Sequence, residues 1–465
     1  MHIGIDVHMC RLTQTGLYSY IWNVLQGLQN LEHPHRITLF LYGQPGMEEP
    51  ESLRRVIDTF SKAEVQYVWD DLPLKSFSSR YGSSASQAPR WVKQVDRKVL
   101  FPMWKKMQMP DSRLTLYASR LARRLYQAST SLEIDVFHHP AGLVFPVSDK
   151  ANVMTLSDLI PRLFPYYCPG SDEWFKESFD KADQMDIILT YSEHTKQDVA
   201  KTLEIDEERI RVIPLAAHHQ YRPLDNQEQV QAVLMKHGLG ERPYIIYVGS
   251  VEARKNVSRL VEAYHLLRQE EPSLEHQLVL VGTKLWLHES IFEVIRNLDL
   301  ESHVKWLGYV PFEDLPALLN GAELFAFPSL YEGFGLPPLE AMSCGTPVIC
   351  SRASSLPEVV GDAGLMFDPY RVKDIAEAMH RTLTDSQLRL SLREKGLKRS
   401  HMFSWDKTAR ATLAAYEEAW TRFQSRERQG QTRRDSKPER PKIYKHAHGW
   451  VVEQLIRQSY NGTDK

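Results

Sequence analysis

Residues 329–348 read SLYEGFGLPPLEAMSCGTPV. The residues just before, ELFAFPS (323–329), form a short apolar and aromatic run of the kind that makes a buried strand. Gly333, Phe334 and Gly335 allow the backbone to turn tightly and approach a ligand. Pro337 and Pro338 suit the first turn of a helix that LEAMSC continues. Strand, glycine turn and helix make the repeating unit of a parallel sheet, whose ligands bind beyond the carboxyl ends of the strands. Amides of the turn and the helix start are then expected to face an anion. Glu332 and Glu340 flank this turn with seven residues between them. Glu340 is expected in the first helical turn, where a carboxylate complements the dipole by about 0.3–1 kcal/mol, or at the hydroxyls of a bound ribose. Glu332, without a helix to explain it, is expected at sugar hydroxyls, at developing positive charge, or in solvent.

The same rhythm extends in both directions. HIGIDV (2–7), RITLFLY (36–42), NVMTL (152–156) and DIILTY (186–191) read as strands, and Leu17, Tyr20, Ile21, Val24, Leu25 and Leu28 recur at helical spacing. After RIRVIPL (209–215) the pattern restarts with PYIIYVG (243–249), QLVLVG (277–282), HVKWLG (303–308), ELFAFPS (323–329) and TPVIC (346–350). Helical stretches at Val257 to Arg268 and Ile291 to Leu298 lie between strands. Two sheets in succession predict an α/β chain of two doubly wound domains, joined near 215–240, with a site in the cleft between them.

The 465 residues are 42% apolar and 25% charged, with a formal net charge of −2. No global field therefore favours nucleic acid or anionic lipid. Cys10, Cys168, Cys344 and Cys350 have no Cys-x-x-Cys spacing, which fits free thiols in a reducing compartment. The start MHIGIDVHMC is interrupted by Asp6 and His8 and does not read as a signal peptide. A cytoplasmic location is expected. Two regions depart from the rhythm. Residues 70–130 form an insertion whose 90–124 segment carries ten Lys/Arg against two Asp, with Trp91, Phe101 and Trp104 interleaved. It is expected to be either a solvated helical face or a peripheral membrane contact that presents a lipid-linked acceptor at the inner face of the membrane. Residues 424–445 have eight Lys/Arg, three Asp/Glu and no core-forming pattern, which predicts a linker or disorder.

A second cluster, VGSVEARKNV (248–257), follows a strand and opens a helix, with Asn256 as the expected N-cap. Arg254 and Lys255 stand just ahead of that helix, where cations oppose the dipole and call for an anion. A diphosphate supplies one; Glu252 or water is the alternative.

Together these stretches resemble the nucleotide-sugar domain of the family 4 retaining glycosyltransferases, which have the GT-B fold. The matching pieces are GSVEARKN (249–256), HVKWLGYVP (303–311), PSLYEGFGLPPLEAMSCGTPV (328–348) and SSLPEVVGDAG (354–364), and Glu332/Glu340 is similar to the family's E-x7-E pair. The resemblance implies two Rossmann-like domains facing across a deep cleft, residues 1–214 on the acceptor side and 215–404 on the donor side. A crossover helix at 405–424 returns to the first domain, and 425–465 is a charged tail. It implies that Arg254 and Lys255 grip the donor diphosphate, that Gly16, Gly333, Phe334 and Gly335 line the donor, that Glu340 holds the ribose and that Glu332 contacts the donor sugar. It further implies a His at the cleft from DVFHHPAGLVFP (135–146), where His138 and His139 are adjacent; His139 is the catalytic candidate, and packing beneath the sheet is the alternative for either. Asp158 is expected to orient or deprotonate the acceptor hydroxyl, or to cap a turn. Ser157 stands where the family commonly has His, and Ala216 where it often has Gly.

The chain has no DxD, no GxGxxG after a strand and no GxxxxGK[ST], which weakens metal-dependent transfer, nicotinamide or flavin chemistry and P-loop hydrolysis. The expectation is a metal-independent, cofactor-free transferase. It would move a sugar, mannose by resemblance, from a nucleotide-diphosphate donor such as GDP-mannose to a glycan or lipid-linked acceptor, without nucleic acid as a partner. A non-catalytic sugar-nucleotide-binding subunit and a membrane-surface scaffold are the competing expectations.

Overall fold

The fold is given by a computed structural model, which describes residues 1–7, 16–41, 64–67, 134–140, 149–167, 179–285 and 289–429, with 56, 59–60 and 146–147. The 90–124 segment and the tail from 430 onward lie outside the described residues.

Two parallel sheets form, one from each half of the chain. The first has seven strands: β1 (His2–Asp6), β2 (Arg36–Leu41), β3 (Glu64–Tyr67), β4 (Val136–His139), β5 (Ala151–Thr155), β6 (Ile187–Thr190) and β7 (Ile210–Val212), in the order β3-β2-β1-β4-β5-β6-β7. The second has six: β8 (Tyr244–Val248), β9 (Gln277–Val281), β10 (Val304–Gly308), β11 (Leu324–Phe327), β12 (Val348–Ser351) and β13 (Gly364–Phe367), in the order β10-β9-β8-β11-β12-β13. In both, the strand order reverses beside the first-formed strand, which opens a crevice at the carboxyl ends. The register is parallel at each pairing, for example Ile5 with Leu39 and Ile246 with Val279.

Helices cover the sheets because their apolar residues recur at helical spacing. In α5 (Val257–Glu270), Val257, Leu260, Val261, Tyr264 and Leu267 are buried, each contributing about 1.5–3 kcal/mol on leaving water. The helices that matter for the site are α1 (Gly16–Asn30), α2 (Ile160–Leu163), α3 (Glu193–Leu203), α8 (Leu336–Cys344), α9 (Leu356–Val360), α10 (Val372–Thr384) and α12 (Trp405–Arg428); α4, α6, α7 and α11 are Gln227–Lys236, Glu289–Asn297, Leu315–Asn320 and Ser386–Ser400.

The last helix belongs to the first lobe. α12 starts in the second half of the chain, caps itself with Ser404, and packs along α1 and across β4, β5 and β6. It approaches α1 closely because residue 27 is glycine: a Cβ there would sit 2.6 Å from the Ala409 Cβ. Arg211 meets Glu418 at 2.5 Å, and Arg426 meets the buried Asp186 at 2.6 Å. α12 runs past residue 424 to Arg428, so those last helical residues are not tail.

Candidate functional site

The site grows from the carboxyl ends of β8 and β11. β8 ends at Val248, and a short 3-10 turn at Ala253–Lys255 carries both cations. Asn256 departs from its expected role. Its φ is +59°, its side chain caps no helix amide, and its Nδ2 instead donates to the carbonyls of Pro328 (3.1 Å) and Pro369 (2.8 Å). It therefore ties the ends of β11 and β13 to the start of α5.

Arg254 and Lys255 are buried against carboxylates. Lys255 Nζ donates to Glu332 Oε1 at 2.6 Å, and Arg254 reaches the same oxygen at 3.4 Å. The Arg254 guanidinium also donates to Glu252 Oε1 and to the Tyr331 carbonyl, each at 2.6 Å. Burial would raise the Glu332 carboxyl, but Lys255 and Arg254 outweigh it and hold the group below its ordinary value. Burial likewise acts to lower Arg254, and Glu332, Glu252 and Asp158 overcome that to raise it. Glu332 is thus ionised and engaged, where the sequence expectation had it free.

The turn at 333–335 is built by its neighbours. Glu332 donates its N–H to Ser354 Oγ at 2.8 Å, and Ser355 Oγ donates to the carbonyls of Glu332 (2.9 Å) and Phe334 (2.7 Å). The Phe334 ring is buried edge-on to Phe403, so its amide, not its side chain, faces the turn. Gly335 caps α8 with φ +113°, a conformation that asks for glycine. Amides of Gly333, Phe334 and Gly335 have no protein acceptor among the described residues. Pro337 and Pro338 lie in the first turn of α8 and carry no N–H, so the helix itself adds few donors.

Glu340 lies beyond the first turn of α8, which contains no acidic residue. The dipole therefore does not account for it. Its carboxyl is half-buried, makes no hydrogen bond among the described residues, and is pushed up to about 7 by burial. Tyr221, from the connection between the lobes, lies within its electrostatic reach.

On the facing side, Asp158 follows β5. Its Oδ1 accepts the Ile160 N–H at 2.9 Å and its Oδ2 accepts from Ser157 Oγ at 3.2 Å, which is the turn-capping geometry. Burial raises its carboxyl, against the pull of the Ile160 amide and Arg254. The lobes touch here, since a Cβ on Gly333 would lie 2.0 Å from the Ser157 carbonyl oxygen.

A profile for the glycosyl transferases group 1 matches residues 233–399. The chain is 36% identical over 284 residues to the O-antigen chain mannosyltransferase B of Escherichia coli, covering 61% of this chain and 74% of that one. The chain belongs to the group 1 glycosyl transferases. It is also 32% identical over 269 residues to the serotype-specific mannosyltransferase WbdA of Escherichia coli, spanning 57% of this chain and 33% of WbdA. Among solved structures, Anabaena HepE in complex with UDP and glucose superposes with a TM-score of 0.61 at 16% identity, covering 90% of this chain and 99% of that one. Sucrose-phosphate synthase from Thermosynechococcus elongatus superposes with a TM-score of 0.63 at 18% identity, covering 90% and 99%. The fold is GT-B.

Within this glycosyltransferase, the two adjacent histidines separate. His138 is buried in the first lobe, with Nε2 2.8 Å from Thr155 Oγ1 and Nδ1 2.8 Å from the Tyr416 hydroxyl. Burial lowers its pKa to about 3, so it is a neutral structural group. His139 ends β4 on the opposite face, its ring 4.7 Å from that of Phe137. Gly16 opens α1, beyond the carboxyl end of β1. The structure brings Arg254, Lys255, Glu332 and Asp158, all named from the sequence in separate roles, into one electrostatic neighbourhood. Sequence reasoning gave Glu252 only as an alternative partner for the cations, and it missed Tyr331 and the serines at 354 and 355. A separate cavity of about 500 Å³, lined by Arg352, Phe367, Tyr370, Asp374 and Arg381, lies between β13 and α10 and holds none of these residues. Among the described residues no helix is long and apolar enough to cross a membrane.

Proposed function

We propose that this glycosyltransferase is a retaining mannosyltransferase. It takes mannose from a nucleoside-diphosphate donor, GDP-mannose in the first instance, and passes it to a hydroxyl of a glycan or lipid-linked saccharide in polysaccharide or glycolipid synthesis, without a required metal ion. The observation that carries the reading is the buried Arg254–Lys255–Glu332 cluster at the carboxyl ends of β8 and β11, with Glu340 further along α8. Mannose as the sugar is supported by the names of the Escherichia coli relatives.

Arg254 and Lys255, with Glu252 and Glu332, make two cations against two carboxylates, so the cluster is neutral before a donor arrives. A diphosphate competes with Glu332 for Lys255 and brings the amides at 333–335 their missing acceptor. The released Glu332 turns to the hydroxyls of the donor sugar, and Glu340 accepts from the ribose. Charge that develops on the leaving diphosphate is met by cations already in place, the arrangement that accelerates group transfer without reorganisation. Asp158 orients or deprotonates the acceptor hydroxyl; each of its oxygens still has a lone pair free after the contacts to Ile160 and Ser157.

Thermal unfolding with GDP-, UDP- and ADP-sugars tests the donor. GDP-mannose is expected to raise stability most, by about 2.7 kcal/mol at a hundredfold excess over Kd. Transfer is expected to persist in EDTA and to give a product with the donor's anomeric configuration by NMR. A non-catalytic subunit, the reading that Ser157 and the capping geometry of Asp158 favour, predicts GDP binding without donor consumption.

A further inference from the structure

The loop that carries Glu332 is held from the other lobe. Ser192 precedes α3 and caps it, accepting the Thr195 N–H at 3.1 Å. The Ser192 hydroxyl donates to the Gly333 carbonyl at 2.8 Å, and the Thr195 hydroxyl donates to the same oxygen at 3.2 Å. Both side chains are buried. One turn further along α3, Asp198 accepts the Tyr331 hydroxyl, and His194 lies 3.4 Å from that carboxylate with its ring against Tyr331. Glu358, from α9 of the second lobe, accepts the N–H groups of Glu193 and His194 at 2.7 Å each. A carboxylate is the favoured partner at the start of a helix, so this contact closes on a preformed donor pair.

The residue before Glu332 and the residue after it are thus both bound to one helix of the first lobe. The main-chain groups of Glu332 itself are bound by Ser354 and Ser355, which immediately precede α9. Five polar contacts from α3 and its N-cap fix the loop and the helix beside it.

We propose that Ser192, Thr195 and Asp198 are positioning residues that make the orientation of Glu332 depend on docking of the two lobes. The proposal rests on the transferase reading of Glu332 given above. Gly333 gains its two hydroxyl donors only when α3 is seated, so the catalytic loop is complete only when the first lobe covers the sugar. A donor bound to the second lobe alone then meets a loop that is not in register, which protects it from water before the acceptor side has closed.

The test uses the full-length chain with Thr195→Val, which keeps the shape and removes the hydroxyl, and Thr195→Ser, which restores it. The probe is GDP-mannose, with an α-mannose-terminated oligosaccharide as acceptor. Thr195→Val is expected to lower kcat by about 10- to 100-fold, as a small misplacement does, while Kd for GDP changes less than about twofold; Thr195→Ser is expected to recover most of kcat. Hydrogen exchange of the Leu330 and Glu332 amides, which donate to the Arg254 carbonyl and to Ser354 Oγ, is expected to speed up in Thr195→Val, with β8 amides unchanged. Wild-type kcat in Thr195→Val overturns the proposal, as does equal loss of kcat and GDP affinity in both variants. If the wild type consumes no donor, the transferase reading falls, and the exchange measurement still decides the latch: unchanged exchange at Leu330 and Glu332 overturns it.

Discussion

Among single side chains, Glu340 and Glu332 separate by the company they keep. Glu332 is held ionised by two buried cations, while Glu340 has no such partner and is pushed up to about 7 by burial from an ordinary 4.5. Between those two pH values the folded protein retains a proton on Glu340 that the unfolded chain has released. Stability therefore falls as pH rises through that window and levels off above it. Ribose hydroxyls donate to the ionised form, so donor affinity is expected to rise as pH rises through 7; calorimetric Kd for GDP across pH 6–8 measures it, and Glu340→Gln is expected to flatten the dependence and weaken binding. For Glu332, replacement by Gln is expected to lower transfer at least about 10²-fold, the usual cost of removing a charge stabiliser. His138 makes the contrasting case. His138→Ala leaves the Tyr416 hydroxyl without its buried partner, at about 1–3 kcal/mol, while Thr155 keeps its contact to Tyr20. The expected outcome is a lower denaturant midpoint, with kcat preserved in the folded fraction.

At the scale of elements, alternation of apolar runs with helical spacing was enough to read both sheets. The strands it did not bring out are β3, β4, β7 and β13, each three or four residues long and all but β4 at a sheet edge. β13 opens on glycine and has little fully buried pattern, so its stability comes from pairing with β12 and not from its own composition. Local signals also erred where tertiary contacts overrode them. Asn256 before an apolar run reads as a cap, yet two carbonyls from distant strand ends claim its amide. Glu340 after two prolines reads as a first-turn acid, yet the helix starts one residue before the prolines and leaves it further along. The motif residues Arg254, Lys255 and Glu332 were legible because their spacing along the chain is fixed. The grip of α3 was not, because Ser192 and Gly333 are 141 residues apart and neither carries a motif. Gly333→Ala tests that contact from the other side: a Cβ 2.0 Å from the Ser157 oxygen forces the lobes apart. Transfer is expected to drop more than GDP binding does, with small-angle scattering showing a larger radius of gyration.

Over the whole molecule, α12 joins what the chain order separates. Its Arg426 meets Asp186, whose other oxygen accepts the Asn152 N–H at 2.7 Å. Asp186→Ala removes both contacts and leaves a partly buried guanidinium without its buried counter-charge; breaking such a pair costs about 3–5 kcal/mol. Urea unfolding is expected to show the loss in the first lobe, with the second lobe's transition unchanged.

The chain order of that helix also sets the order of assembly. Strands β1 to β7 leave the ribosome early, but the face of β4, β5 and β6 that α12 covers stays bare until residue 428 has been made. The second lobe, contiguous from β8 to α11, has its own segments together sooner. The portion synthesised first is thus finished last, and during that interval its exposed apolar face, with His138 awaiting Tyr416, is the surface a chaperone would have to shield.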